Sequence, residues 1–166
     1  MSQPAPDASR APRLRFDTHR LEQRARRTRR QTAAALAAVP LFGGLTRRHL
    51  ERLAADTDDL LFEPGQHIVQ EGELGETLYV VLSGEAKVVR RGRTVARMYP
   101  GDVFGELSAL DGGPRTASVI AVTRVEVLRL FRRTLIRMLE REPDVLFRLL
   151  EVVVRRVRQL RHPVFG

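Results

Sequence analysis

The apolar positions of this chain change period twice. Between Leu60 and Phe131 they fall in short runs, "HIVQ", "TLYVVL", "AKVVRR", "TVARMY", "ASVIAV" and "RVEVLRLF", several alternating apolar with polar residues. Turn signals separate them: Pro64-Gly65, Gly72, Gly75, Gly84, Gly92, Pro100-Gly101 and Gly112-Gly113-Pro114. Short strands at such even spacing predict a closed or rolled antiparallel sheet, with the "RRGR" of Arg90–Arg93 as a hairpin corner.

On either side the period is helical. Pro40 and Gly43-Gly44 break the chain, and Thr46 is placed to cap a helix over Arg47–Ala55 whose Leu50 and Leu53, with Leu45 before them, face a core. Upstream, Thr18–Val39 reads as a helix with Thr18 at its N-cap and Glu22 in its first turns. Beyond Phe131 the pattern stays helical to the end, with Pro143 in the first turn of the last helix. Pattern alone therefore gives a small β-roll with helices at both ends.

Composition narrows the classes of function. A chain of 166 residues suits one core and an appendage. The absence of Cys excludes disulfides, thiolate metal sites and Cys nucleophiles. A net charge of +9 favours anionic partners, and nucleic acid, acidic lipid, nucleotide and acidic protein all satisfy it. No run approaches the roughly 20 apolar residues of a membrane span. "AAALAAVPLF" (Ala33–Phe42) is too weakly apolar for a signal peptide, and its Arg-rich flank too long, so the expected location is the cytoplasm. His19, His49, His67 and His162 are too scattered to nominate a triad or a metal site, and no phosphate loop of the Gly-Lys-Ser type is present. The expectation is a binding protein rather than an enzyme, without metal or cofactor.

The stretch "FGELSALDGGPRTASV" concentrates the candidate chemistry. It sets Glu106 and Arg115 on either side of a Gly112-Gly113-Pro114 corner, among small residues that leave room for a small anion. Together, "FEPGQHIVQEGELGETLYVVLSGEAKVV" and "YPGDVFGELSALDGGPRTASV" resemble the cyclic nucleotide-binding domain family, with the similarity running from about Val39 to Leu160. The resemblance implies an α+β fold: an antiparallel, jelly-roll-like β-roll of about eight strands, with N-terminal helices and two C-terminal helices. Three segments follow from it: an Arg-rich arm over residues 1–30, disordered to partly helical, the binding domain over 31–162 and a tail over 163–166.

A cyclic nucleotide needs a seat for its phosphate, a partner for its ribose 2′-hydroxyl and a cover for its base. A short helix beginning near Gly105 offers free N–H groups to the phosphate, and Arg115 adds a two-pronged cation. Glu106, acceptor-only when ionised, suits the 2′-hydroxyl. The resemblance implies these same roles, with Gly105, Leu107, Ser108, Ala109, Thr116 and Ala117 completing the ligand-binding set. In the competing reading Glu106 and Arg115 merely bridge two ends of a loop around an empty pocket.

Thr116 bears on the base. In the resemblance a Thr after the cassette Arg is similar to domains that select cGMP, whereas cAMP is the commoner ligand of bacterial-looking members and is the favoured expectation. Arg155, Arg156 and Arg158 on the last helix are the candidates for a lid on the base, or else its solvated face. On the same helix Leu146, Leu150, Val153, Val157 and Leu160 follow a 4-3-4-3 spacing, which reads as a homodimer seam or as a stripe packed on the protein's own roll.

The few residues after the last helix lead to the expectation of a stand-alone domain, without a helix-turn-helix domain of the catabolite-activator kind. Three functions stay open: a cyclic-nucleotide sensor signalling to a partner protein through its terminal helices, a nucleic-acid-binding regulator using the Arg-rich arm, and an interaction module with an empty pocket.

Overall fold

A computed structural model describes residues 23–24 and 27–161 of the protein. Helices α1 (Arg29–Ala37) and α2 (Arg47–Ala55) flank a 3-10 turn at Pro40–Phe42. The roll follows, with β2 (Thr57–Phe62), β3 (His67–Val69), β4 (Thr77–Ser83), β5 (Ala86–Arg90), β6 (Arg93–Met98), β7 (Val103–Phe104), β8 (Ser118–Ala121) and β9 (Val125–Phe131). A short strand β1 (Gln23–Arg24) precedes α1, the helix α3 (Glu106–Asp111) interrupts the roll, and α4 (Arg132–Arg141) and α5 (Pro143–Arg161) end it.

The strands pair antiparallel into two sheets, ordered β1-β2-β9-β4-β7 and β3-β8-β5-β6. This is the α+β roll expected from the pattern. Strand β4 lies inside the first sheet, between β9 and β7, and its continuous apolar run has a direct cause. Leu78 and Val80 face the helices, packing with Leu36, Phe42, Leu50, Leu135 and Leu149. Tyr79 and Val81 face the space between the sheets, with Val88, Phe104 and Val119. Strand β9 divides in the same way, with Leu128 and Leu130 on one side and Val125 and Val127 on the other. A strand buried on both faces loses the alternation that marks a half-exposed one.

Helix α2 begins where its cap predicts, the Thr46 hydroxyl accepting from the His49 N–H at 3.3 Å. The first helix differs from expectation. Thr28 and Gln31 form a reciprocal capping box that starts α1 at Arg29, and Gln23–Arg24 pair as a strand with Leu60 and Leu61 of β2. Two satisfied caps at Thr28 fix a boundary that helical periodicity could not show. The proposed cap Thr18 lies outside the described residues, as does the tail 163–166. The expected boundary at residue 30 falls inside α1. The "RRGR" corner is a tight hairpin turn, with Arg91 and Gly92 both at positive φ. Among the described residues no helix is long and apolar enough to cross a membrane.

Helix α5 faces its own roll with Val145, Leu149 and the half-buried Val153. The remaining members of the 4-3-4-3 stripe, Leu146, Leu150, Val157 and Leu160, are exposed, together with Phe147 and Val154.

Candidate functional site

The short strand β7 pairs with β4 through Tyr79–Phe104 and Val80–Val103, which carries Gly105 and the start of α3 to the neighbourhood of Thr77. On the opposite strand of chain, Leu74 and Pro114 form a bridge, and the Arg115 N–H donates to Glu73 O at 2.8 Å. These backbone contacts aim the Arg115 side chain inward, where it is 7% exposed.

The guanidinium lies in a slot shaped by missing side chains. A Cβ on Gly75 would stand 2.2 Å from Arg115 Nε, and one on Gly105 would stand 2.7 Å from Nη1 and 2.8 Å from the Thr77 carbonyl. Neither position can carry a side chain while Arg115 stays where it is. Within the slot Nη1 donates to Thr77 O at 2.8 Å, Ser108 Oγ at 2.7 Å and Gly105 O at 3.2 Å, and Nη2 donates to Thr77 Oγ1 at 2.7 Å. Of the five N–H groups of a guanidinium, Nε–H and one Nη2–H keep no acceptor among the described residues. Two adjacent donors of this kind form the fork that grips two oxygens of one anion. Burial pulls Arg115 below its ordinary value, and Tyr79, Glu106 and Glu73 oppose that pull. An arginine starts so high that it stays a cation.

Glu106 is the first residue of α3 and is 3% exposed. Its ion-pair partner is Arg156, not Arg115: Arg156 Nε lies 3.2 Å from Glu106 Oε1. Arg156 Nη2 also donates to Val103 O at 2.8 Å, which ties α5 to the end of β7. Burial pushes the Glu106 carboxyl up, while Arg156, the Glu106 N–H and, least, Arg115 hold it down. The two charged groups are therefore held by separate partners, unlike a loop brace in which each would satisfy the other.

Both face the same recess. A small cavity of about 70 Å³ is bounded by Gly105, Glu106, Ser108, Arg115 and Thr116. It adjoins a larger one of about 360 Å³ between β5, β6 and α5. Glu106, Leu107, Thr116, Ala117 and Arg156 line both. Val88, Val95 and Ala96 give the larger cavity its apolar walls, and Arg90 and Arg158 its charge. Of the residues nominated from sequence, Ala109 is fully buried in the helix-side core and Arg155 is exposed, and neither lines these cavities. The structure adds Thr77, Gly75 and Arg90. Gly75 is visible in the sequence only as a turn signal. Thr77 and Arg90 lie in strands far along the chain from the cassette and carry no local sign of their position.

Among the described residues no group of acidic or histidine side chains is placed to hold a metal. The arrangement is suited to binding a small anion that also carries a hydroxyl and a flat, partly apolar body.

The profile of the Cyclic nucleotide-binding domain family matches residues 60–142. The chain is 37% identical over 125 residues to the Cyclic AMP receptor protein of Thermus thermophilus, covering 72% of this chain and 58% of that one. It is 40% identical over 106 residues to the cAMP-dependent protein kinase regulatory subunit of Emericella nidulans, covering 63% of this chain and 26% of the relative. Among solved structures, the N-terminal domain of a transcriptional regulator from Streptomyces coelicolor superposes with a TM-score of 0.61 at 35% identity, covering 76% of this chain and 94% of that one. The chain thus spans little more than half, or less, of the full-length relatives it matches. With half of its residues under the family profile, and with a cation and a carboxylate held apart over one recess, the chain belongs to the cyclic nucleotide-binding domain family.

Proposed function

We propose that the protein is a cytoplasmic sensor of a cyclic mononucleotide and passes its bound state to a partner protein through its terminal helices. The observation that carries this reading is the separate holding of Arg115 and Glu106 over one recess, with Glu106 paired to the last helix. The open fork of Arg115 takes the cyclic phosphate, in a site that shields the contact from water. Glu106 takes the ribose 2′-hydroxyl. The base enters the larger cavity, against Val88, Val95 and Ala96 and under Arg156 and Arg158. Because Glu106 Oε1 is engaged with Arg156 Nε, ribose capture and the seat of α5 draw on the same carboxylate.

Cyclic AMP is the leading ligand, on the strength of relatives whose names carry it. A specific observation supports a second reading in favour of cGMP. Arg90, Arg156 and Arg158 around the base cavity supply donors only, and guanine presents two adjacent acceptors, O6 and N7, where adenine presents one acceptor and one donor. Binding, not catalysis, is the proposed activity, as for the regulatory relatives.

The exposed stripe of Leu146, Leu150, Val157 and Leu160 suits a homodimer seam on α5. Of the Arg-rich arm over residues 1–30, residues 1–22 and 25–26 lie outside the described residues, so a role on nucleic acid rests on its charge alone.

Titration calorimetry with cAMP, cGMP and linear 5′-AMP tests the reading. Saturable binding of a cyclic nucleotide, with much weaker binding of the linear one, is expected. No binding of either cyclic nucleotide to the folded protein would leave the interaction module with an empty pocket as the better account.

A further inference from the structure

A second cavity, about 700 Å³, shares no residue with the nucleotide recess. It is a cleft between α2 and α4. Thr134, Arg137, Met138 and Arg141 line it from α4, and their i, i+3, i+4, i+7 spacing is one full helix face. Leu45, Arg48, His49, Arg52 and Asp56 line it from α2 and its two ends, again along one face. Two polar contacts span the gap, His49 Nδ1 to Glu142 Oε1 at 2.8 Å and the ion pair of Arg137 Nη2 with Asp56 Oδ2 at 3.9 Å.

The lining is basic on balance, with Arg29, Arg48, Arg52, Arg137 and Arg141 against Glu51, Asp56 and Glu142. Arg48 and Arg52 stand four residues apart on α2, and Arg137 and Arg141 stand four apart on α4. Like charges at that spacing weaken a helix, because their side chains are neighbours. Arg48, Arg52 and Arg141 have no hydrogen-bond or ion-pair partner among the described residues that would offset the repulsion. Between the two rows the floor is apolar, with Leu45, Leu53 and Met138.

We propose that this cleft seats an acidic amphipathic helix of a partner protein. An apolar stripe on such a helix meets Leu45, Leu53 and Met138, and carboxylates on its two flanks meet Arg48 and Arg52 on one side and Arg141 on the other. Distributed carboxylates fit better than a compact polyanion, because Glu51, Asp56 and Glu142 are interleaved with the arginines and repel dense negative charge. The chain's own N-terminal arm is Arg-rich and is excluded by like charge. Glu142 is the last residue before α5, so an occupant of the cleft bears on the junction of α4 with the helix that reaches Glu106.

The test uses the full chain at about 150 mM salt, where long-range attraction is screened within roughly 8 Å. Fluorescence anisotropy follows a labelled helical peptide of Glu, Ala and Leu, with a leucine stripe flanked by glutamates, alongside a scrambled peptide of the same composition and a duplex DNA competitor. Saturable binding is expected, weakened at least about tenfold by Arg48→Glu with Arg52→Glu and, separately, by Arg141→Glu. The three positions are exposed, and an unchanged thermal midpoint and unchanged nucleotide titration identify folded variants. The proposal is overturned if the patterned peptide fails to bind, if the scrambled peptide binds equally well, if the charge reversals leave binding unchanged, or if DNA displaces the peptide at stoichiometric amounts.

Discussion

Arg156 reaches from the last helix to within 3.2 Å of Glu106, the first residue of the cassette helix. A side chain on α5 thereby holds the group proposed to bind the ribose. Replacing Arg156 by Ala leaves Glu106 buried without its main counter-charge, so its carboxyl rises further. Affinity for a ribonucleotide should then fall with acidification at a higher pH than in the parent protein, because the ionised form is the better acceptor. A 2′-deoxy analogue should show a much smaller displacement. Titrations of both ligands across pH 5 to 8 check this, and an unchanged pH profile would detach Arg156 from ligand capture.

Arg115 should carry the phosphate. Truncating one partner of a buried charge pair typically costs about 2–5 kcal/mol, so Arg115→Ala should weaken cyclic nucleotide binding by at least tenfold in a folded roll. Thr77→Val preserves shape but removes the acceptor of Nη2, and should cost about 1–2 kcal/mol by freeing the guanidinium to rotate. Calorimetry with circular dichroism on each variant distinguishes lost binding from lost folding.

Thr116 lines both cavities and is exposed. If its hydroxyl reads guanine, Thr116→Ala should lower cGMP affinity selectively. Equal losses for cAMP and cGMP would give it a phosphate or backbone role, and Arg90→Ala then becomes the sharper probe of the base.

Asp59 on β2 makes stability depend on pH. Its carboxyl is pushed up to about 6 by burial, only partly offset by Arg27 at 3.3 Å, and Glu126 nearby adds to the rise. Neither Asp59 oxygen accepts a hydrogen bond. Because the folded value lies above the ordinary 3.8, the native state holds the extra proton. The associated stability is fully present below pH 3.8 and is lost as pH rises through about 6. Solvent screening at this partly exposed site leaves only part of that shift as stability. Asp59→Asn should raise the thermal midpoint at pH 7.5 and change it little at pH 4. Equal effects at the two pH values would show that ionisation is not the cause.

Local signals made much of this molecule readable. Thr46 marks the start of α2 because an N-cap needs only its own helix, and Glu106 and Arg115 stand out because a Gly-Gly-Pro corner brings them together within one short segment. Strand β1 was not readable, since its pairing is offered by the distant edge of β2. Thr77 was equally silent: it meets Arg115 only because β7 pairs with β4. Arg156 could be nominated as a lid by its helix, but its pairing with Glu106 depends on how α5 packs back on the roll.

Strands β4 and β9 alternate their side chains between two apolar clusters, one under the helices and one between the sheets. Neither cluster can be opened without stripping a wall from the other, so the two should melt in a single cooperative transition. On the proposed function, a partly unfolded roll is then a poor carrier of the signal. The proposed signal is mechanical instead: helices sliding or tilting over an intact sheet, with the hydrogen bonds of the roll left in place.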